Sequence, residues 1–200
     1  MAWLLLLRHA PSAWNAAHRR QGWADPPLTS AARMSVHRWT IPGCLHAAVS
    51  SDLQRAWATA ALIARRAGWG PVVRHRALRE QDQGAWTGLT KTQITQRWPD
   101  ALREKPRRPM HGETPDAVWE RVVAALTQIA RQHLGQCTLV VTHLEVIRVL
   151  ERALGVKAVT VPHLEGRWLR IEPGQGATPV ALAAGEPTAG RYTTASGESA

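Results

Sequence analysis

Ala2 to Leu7 is an unbroken apolar run with no polar face, and it stops at Arg8. A strand apolar at every position is one covered by helices on both sides, as in a parallel sheet. The same signature returns at Thr138 to Thr142, with His143 at its C-terminal end. Shorter strands are expected at Ala47 to Ser51, Val72 to Arg76, Val159 to Val161 and Arg167 to Ile171. Between them the apolar period lengthens to that of a helix. Leu28 to Trp39 is opened by Asp25-Pro26-Pro27, and Leu53 to Arg66 carries Leu53, Trp57, Ala60 and Ala61 before Gly68 and Gly70 end it. Thr90 to Trp98 is a third helix. Thr114 caps a long one through His133, whose stripe holds Val118, Trp119, Val122, Leu126 and Ile129. Glu145 to Leu154 is the last, closed by Gly155, while Lys105 to Pro109 is expected as a surface loop.

Strands alternating with helices indicate an α/β domain with a mostly parallel sheet. Its 200 residues suit one domain, placed over 1–184. From Gly185 on, Gly, Ser, Thr and Ala leave nothing to bury, so 185–200 is expected to be a disordered tail. No internal repeat is visible.

In such a fold, ligands bind beyond the C-terminal ends of the strands. The residues at those ends are Arg8-His9, Ser50-Ser51-Asp52 leading to Arg55, Glu80 and His143. Two guanidinium groups and two imidazoles make a cationic pocket suited to a dianionic phosphoryl group, since each guanidinium grips two oxygens. Glu80 would be surplus in a mere binding site. It makes sense as a general acid for a leaving alkoxide, provided burial raises its pKa. One His attacks phosphorus through a neutral ring nitrogen if its other nitrogen donates to a backbone carbonyl, and water then completes hydrolysis. This scheme needs no metal and no cofactor, and no DxD or HEXXH spacing is present to hold a metal.

Composition narrows the partners. Apolar residues are 44% and charged residues 20% of the chain, which places it among folded globular proteins. The formal charge of +10, from 25 Lys plus Arg against 15 Asp plus Glu, favours an anionic partner, although codon bias also produces an Arg, Ala and Trp surplus. The charge and the ten Trp residues admit a nucleic-acid-binding module as the competing class. Dispersed basic residues and the lack of any nucleic-acid signature argue against it, so no nucleic-acid partner is expected. Cys44 and Cys137 fit neither a disulfide framework nor a zinc site, and a reducing cytoplasm suits them. The run Trp3 to Leu7 is shorter than a signal-peptide core and far shorter than a membrane span. A cytoplasmic protein with no membrane partner is expected; the sequence does not fix its oligomeric state, a homodimer being one option.

Laid out in order, the motifs resemble the histidine phosphatase superfamily, also called phosphoglycerate mutase-like. Leu6-Leu7-Arg8-His9-Ala10-Pro11-Ser12-Ala13-Trp14-Asn15 is similar to the opening signature. Gln21 to Thr29, Ser50 to Ala56 with Thr59-Ala60, Leu78-Arg79-Glu80 with Gly84, Trp86 and Gly88, Gly112-Glu113-Thr114, and Val140 to His143 with Val146-Ile147-Arg148 are similar to the later blocks. The resemblance runs over residues 3 to 150. It implies a three-layer sandwich, a mostly parallel central sheet flanked by helices. It also implies His9 as the phosphorylated nucleophile, Glu80 as proton donor, and Arg8, Arg55 and His143 as phosphate-binding residues. Asn15, Gln21 and Gly22 would contact substrate. The implied activity is metal-independent hydrolysis of a small phosphorylated metabolite through a phosphohistidine. Alternatives are mutase-type phosphoryl transfer and a phosphate-binding pseudo-enzyme.

Three departures bear on that implication. Ala10 replaces the usual Gly. Leu144-Glu145 stands where the family has two small residues, so that either a bulky side chain and a carboxylate intrude near the phosphate or Glu145 caps its helix and points away. Gln81, Asp82 and Gln83 lack the basic residue that mutases place after their Glu, and the interval from Glu80 to His143 is short of the mutase insertion, which favours hydrolysis. Trp23 and Trp86 are expected to line the cleft. His18, His37, His46, His75, His111, His133 and His163 read as surface or packing residues, with His18 and His111 in loops able to reach the rim. Arg19-Arg20 and Arg107-Arg108 read as solvated, with recognition of a second anionic group on the substrate as the alternative.

Overall fold

The apolar runs become the middle of a sheet. In a computed structural model that describes residues 1–103, 106–156, 161–172 and 181–184, the strands are β1 (Ala2–Arg8), β2 (Leu45–Ser50), β3 (Val73–Arg74), β4 (Cys137–Thr142), β5 (Gly166–Glu172) and β6 (Ala181–Ala184). Their order is β3-β2-β4-β1-β5-β6. β3, β2, β4 and β1 are mutually parallel, whereas at the far edge β5 runs antiparallel to β1 and β6 antiparallel to β5. Leu4↔Thr138 through Arg8↔Thr142 set the register of β1 on β4, so both strands end level, with His9 and His143 side by side.

The helices are α1 (Ala13–Ala16), α2 (Ser30–Arg38), α3 (Gln54–Ala67), α4 (Lys91–Arg97), α5 (Pro115–Gln132) and α6 (Leu144–Ala153). Each side chain of β1 points to the face opposite its neighbour's, and both faces are covered. Ala2, Leu4 and Leu6 pack with Val118, Val122, Leu126 and Ile129 of α5 and Ile147 and Leu150 of α6. Leu5 and Leu7 pack with Ala32 and Val36 of α2 and Ala56, Ala60 and Ile63 of α3. That is the expected three-layer sandwich.

Caps fix the helix starts. Thr29, Thr90 and Thr114 each accept from a backbone amide in the first turn, and Pro115 fits the opening of α5, where its missing N–H is no loss. Gly68, in the left-handed region, closes α3. The strand expected over Val72 to Arg76 is reduced to two residues because a short 3-10 turn, Arg76–Leu78, takes over. Of the strand expected at Val159 to Val161, residues 159–160 lie outside the described residues and Val161 belongs to no strand. The expected tail, 185–200, also lies outside them. α1 and β6 were not foreseen. Among the described residues no helix is long and apolar enough to cross a membrane.

Candidate active site

The level ends of β1 and β4 put two imidazoles in contact. The ring centroids of His9 and His143 are 5.0 Å apart, and the side chains are 3% and 0% exposed. The backbone N–H of His9 donates to Thr142 O at 3.0 Å, continuing the ladder one residue past β1. His9 Nδ1 lies 2.7 Å from the Ala10 carbonyl, an acceptor only, so Nδ1 carries the proton and Nε2 keeps its lone pair. Burial, then the charge of Arg55, hold His9 well below the usual histidine range, and the same two causes act on His143. Both rings are therefore neutral near pH 7. Neither ring nitrogen of His143 has a partner among the described residues, although both are buried.

Arg55 comes from the first turn of α3 and is wholly buried. Its Nη1 donates to Ala24 O at 2.7 Å and its Nη2 to Gly22 O at 2.8 Å, while Nε has no partner among the described residues. Burial pushes its pKa down to about 10, so it stays cationic at neutral pH. Gly22 has φ +50°, and a Cβ there would come 2.7 Å from Gln83 N, so the carbonyl anchoring Arg55 depends on glycine. Arg8 is held by Nη1 to Val161 O at 2.7 Å and likewise keeps a buried Nε without a partner among the described residues. A desolvated donor that stays unpaired is costly, and an anion bound here would satisfy those of Arg8, Arg55 and His143.

Glu80 completes the set. Oε1 accepts from Gln81 N at 3.0 Å and from Glu145 N, in the first turn of α6, at 3.1 Å. Burial and then the neighbouring Glu145 carboxylate raise its pKa above the ordinary carboxylate value, against the opposing pull of Arg55 and Arg8. Its loop is held from behind by Arg121 of α5, which donates to the carbonyls of Ala77, Arg79 and Glu80 and forms a two-pronged pair with Glu113.

These groups open on a cleft of about 470 Å³ lined by Arg8, His9, Arg55, Glu80 and neighbours that include Asn15, Gln21 and Gly22. Asn15 and Gln21 use their carbonyl oxygens on Ser12, at 3.0 and 2.7 Å, which leaves their NH2 groups for a ligand. Seven of the eight predicted site residues line this cleft, and His143 lies against the His9 ring without lining it.

Several expectations need correcting. Trp86 is 2% exposed and belongs to the core. Trp23 is outside the cleft lining, and its Nε1 donates to Glu80 O at 2.9 Å, steadying that loop. His18 and His111 do not line the cleft. Arg19 and Arg20 do line it, and so are not simply solvated. Glu145 neither withdraws nor stands alone: it lines the cleft and pairs with Arg148 at 2.7 Å. His163, read as surface or packing, places Nδ1 2.6 Å from the His9 carbonyl and its ring 5.3 Å from that of His9. Burial holds its pKa down at about 4. No local pattern marks it, because its partner lies across the sheet. Among the described residues no cluster of three or more His, Cys, Asp or Glu is arranged to hold a metal ion.

A mostly parallel three-layer sheet with a cationic, carboxyl-bearing cleft at its strand ends is the frame of an α/β phosphoryl-transfer protein. The chain belongs to the histidine phosphatase superfamily (branch 1), whose family model matches residues 4–173. It is 35% identical over 179 residues to a 2,3-bisphosphoglycerate-dependent phosphoglycerate mutase of Methylobacterium radiotolerans, spanning 82% of this chain and 84% of that one. It is 30% identical over 162 residues to Phosphoserine phosphatase 1 of Hydrogenobacter thermophilus, spanning 77% and 76%. Among solved structures it is similar to Bacillus stearothermophilus YhfR, with a TM-score of 0.75 and 28% identity over 92% of this chain and 96% of that one. The phosphatases among these relatives support a phosphatase activity within the superfamily.

Proposed function

We propose that the protein is a metal-independent phosphomonoesterase that hydrolyses a small phosphorylated metabolite through a phosphohistidine. His9 Nε2 attacks phosphorus, the ester P–O bond breaks, and its electron pair leaves on the alkoxide oxygen, which takes the proton of Glu80. Water, deprotonated by the resulting Glu80 carboxylate, then attacks the phosphohistidine. The P–N bond breaks, its pair returns to Nε2, and inorganic phosphate departs. Arg8, Arg55 and His143 hold the equatorial oxygens through both steps. The observation that carries the reading is the tie of His9 Nδ1 to the Ala10 carbonyl, which leaves a neutral Nε2 beside unpaired cationic donors. Gln81, Asp82 and Gln83 offer no cation for holding a second phosphoryl position, which favours water over a mutase acceptor.

The test is a panel of phosphorylated metabolites and p-nitrophenyl phosphate assayed with EDTA present, together with trapping of labelled enzyme. Phosphate release and an acid-labile, base-stable label are expected from the wild type. His9→Ala should fold, lose turnover and take no label, and Arg8→Ala should lose roughly 10²–10³-fold in kcat. Turnover retained by His9→Ala, or turnover abolished by EDTA, would overturn the reading. Label that passes to a second hydroxyl of the substrate instead of to water would make the protein a mutase.

A further inference from the structure

Residues 161–165, the segment that leads into β5, wrap the end of β1. Val161 O accepts from Arg8 Nη1 at 2.7 Å, Leu164 N donates to Arg8 O at 3.0 Å, and Glu165 O accepts from Arg8 N at 2.9 Å. The segment makes all of these contacts with main-chain atoms. It is itself held by Glu165 N donating to Pro162 O at 3.3 Å and by Trp39 Nε1 donating to Leu164 O at 2.9 Å, with Leu164 in the left-handed region at φ +62°. The side chain of His163 adds a further contact, its Nδ1 lying 2.6 Å from His9 O. A carbonyl oxygen only accepts, so His163 Nδ1 carries a proton and donates it.

That contact completes a clamp on one peptide unit. The unit joining His9 to Ala10 has its C=O held by His163 and its N–H held by Thr59 Oγ1 of α3, at 3.1 Å. Because the unit is planar, with C=O and N–H on opposite sides, two partners fix its orientation. The next carbonyl along the chain, Ala10 O, is the one that receives the His9 Nδ1 proton at 2.7 Å. Turning the clamped unit carries Ala10 O away from the ring, and with it the bond that leaves the lone pair on Nε2. His163 lies outside the cleft lining, so its route to the reaction runs through His9. An arginine or lysine in its place would set a further cation beside a ring that already feels Arg55 and Arg8 and must stay neutral to attack. Burial holds the pKa of His163 at about 4, so at neutral pH it donates without carrying a charge.

We propose that His163 is a positioning residue for the nucleophile: by donating to the His9 carbonyl it holds the His9–Ala10 peptide in the orientation that keeps the His9 proton on Nδ1 and the lone pair on Nε2. This rests on His9 being the group that attacks phosphorus.

The experiment separates position from stability. Nitrogen-15 spectra of the histidines in the full chain report the tautomers of His9 and His163 without any need for turnover. They are recorded for wild type, His163→Asn, His163→Leu and His163→Met, together with the Kd of inorganic phosphate by calorimetry and kcat and KM on p-nitrophenyl phosphate, all well below each unfolding midpoint. Asn carries its NH2 about where histidine carries Nδ1, whereas Leu and Met fill the space without a donor. In the wild type both rings should be protonated at Nδ1, with scalar coupling across the hydrogen bond from His163 Nδ1 to the His9 carbonyl carbon. His163→Leu should lower kcat by roughly 10- to 100-fold and turn the His9 signal into a mixture of tautomers. KM and the phosphate Kd should stay nearly unchanged, because the main-chain atoms that hold Arg8 remain. His163→Asn should keep the wild-type tautomer and most of the turnover, and His163→Met repeats the comparison if His163→Leu does not fold. A wild-type His163 protonated at Nε2 alone would overturn the proposal. So would an unfolding midpoint that falls in His163→Leu or His163→Met while kcat and the His9 tautomer stay put, or a loss in His163→Asn as large as theirs. Failure of p-nitrophenyl phosphate turnover in the wild type would instead count against the phosphatase reading, since the tautomer comparison does not depend on it.

Discussion

Glu145 puts a negative charge at a cleft lined by cations, and its surroundings explain how that is tolerated. It sits in the first turn of α6, where the helix N-terminus favours a carboxylate, and Arg148 holds it at 2.7 Å. Its second effect is on Glu80. In the proposed role of proton donor Glu80 must be protonated at the working pH, and Glu145 adds to burial in raising its pKa, while Arg55, the Gln81 amide and Arg8 lower it. Activity should therefore fall on the alkaline side as Glu80 loses its proton. Removing the Glu145 charge removes one of the raising influences, so Glu145→Gln should shift the alkaline limb of kcat/KM to lower pH. A pH profile on p-nitrophenyl phosphate checks this, and an unmoved limb would show that Glu145 does not tune the acid. At this scale the sequence was informative where chemistry is encoded by residue type at a strand end. His9, Arg8, Arg55, Glu80 and His143 were all legible, and His163 was not. Its one telling contact, with the His9 carbonyl, spans 154 residues, and nothing flanking it hints at that partner.

A helix supports the His9 loop as much as the strand before it does. Thr59, one turn into α3, accepts from Ala10 N at 3.1 Å and donates its own proton to Arg55 O at 2.7 Å. One hydroxyl thus links the loop that follows β1 to the helix that delivers Arg55. Thr59→Val keeps the shape and leaves the buried Ala10 amide unpaired, which should cost about 1–3 kcal/mol in urea unfolding. An unchanged midpoint would mean that the loop finds another acceptor. The apolar runs of β1 and β4 and the Thr114 cap of α5 were readable because each is a local pattern with a local cause. α1, four residues held by Ser12 and Asn15 capping each other, is too short to show periodicity. β6 gains its strand character only from pairing with β5. The short 3-10 turn after β3 likewise escaped a reading based on apolar alternation.

At the scale of the molecule, the neutral buried histidines tie stability to pH. His9, His143 and His163 all have folded pKa values below the ordinary 6.5, so the unfolded chain binds more protons than the folded one as the solution is acidified. Their contribution is complete above about pH 6.5. It is lost as pH falls, for His163 across the window down to about 4. Glu80, whose folded pKa is raised, acts in the opposite sense, its share being lost as pH rises above 4.5. The net +10 charge grows on acidification and adds self-repulsion. Urea midpoints should therefore fall from pH 7 to pH 4, and His163→Asn, which retains a donor for the His9 carbonyl, should flatten the slope. A slope identical to that of wild type would place the proton uptake elsewhere.

The order of synthesis adds a consequence of the sheet. β1 leads directly into His9 and is flanked by β4, residues 137–142, and by β5, residues 166–172. The ribosome makes β1 before both of its hydrogen-bonding neighbours, by more than a hundred residues. Pairings so distant along the chain close slowly, because loop entropy must be spent first. While translation continues, Leu4 to Leu7 is an apolar segment without its edges, the kind of segment that nascent-chain holdases exist to shield. The His9 imidazole is thus made well before the segments that give it a site.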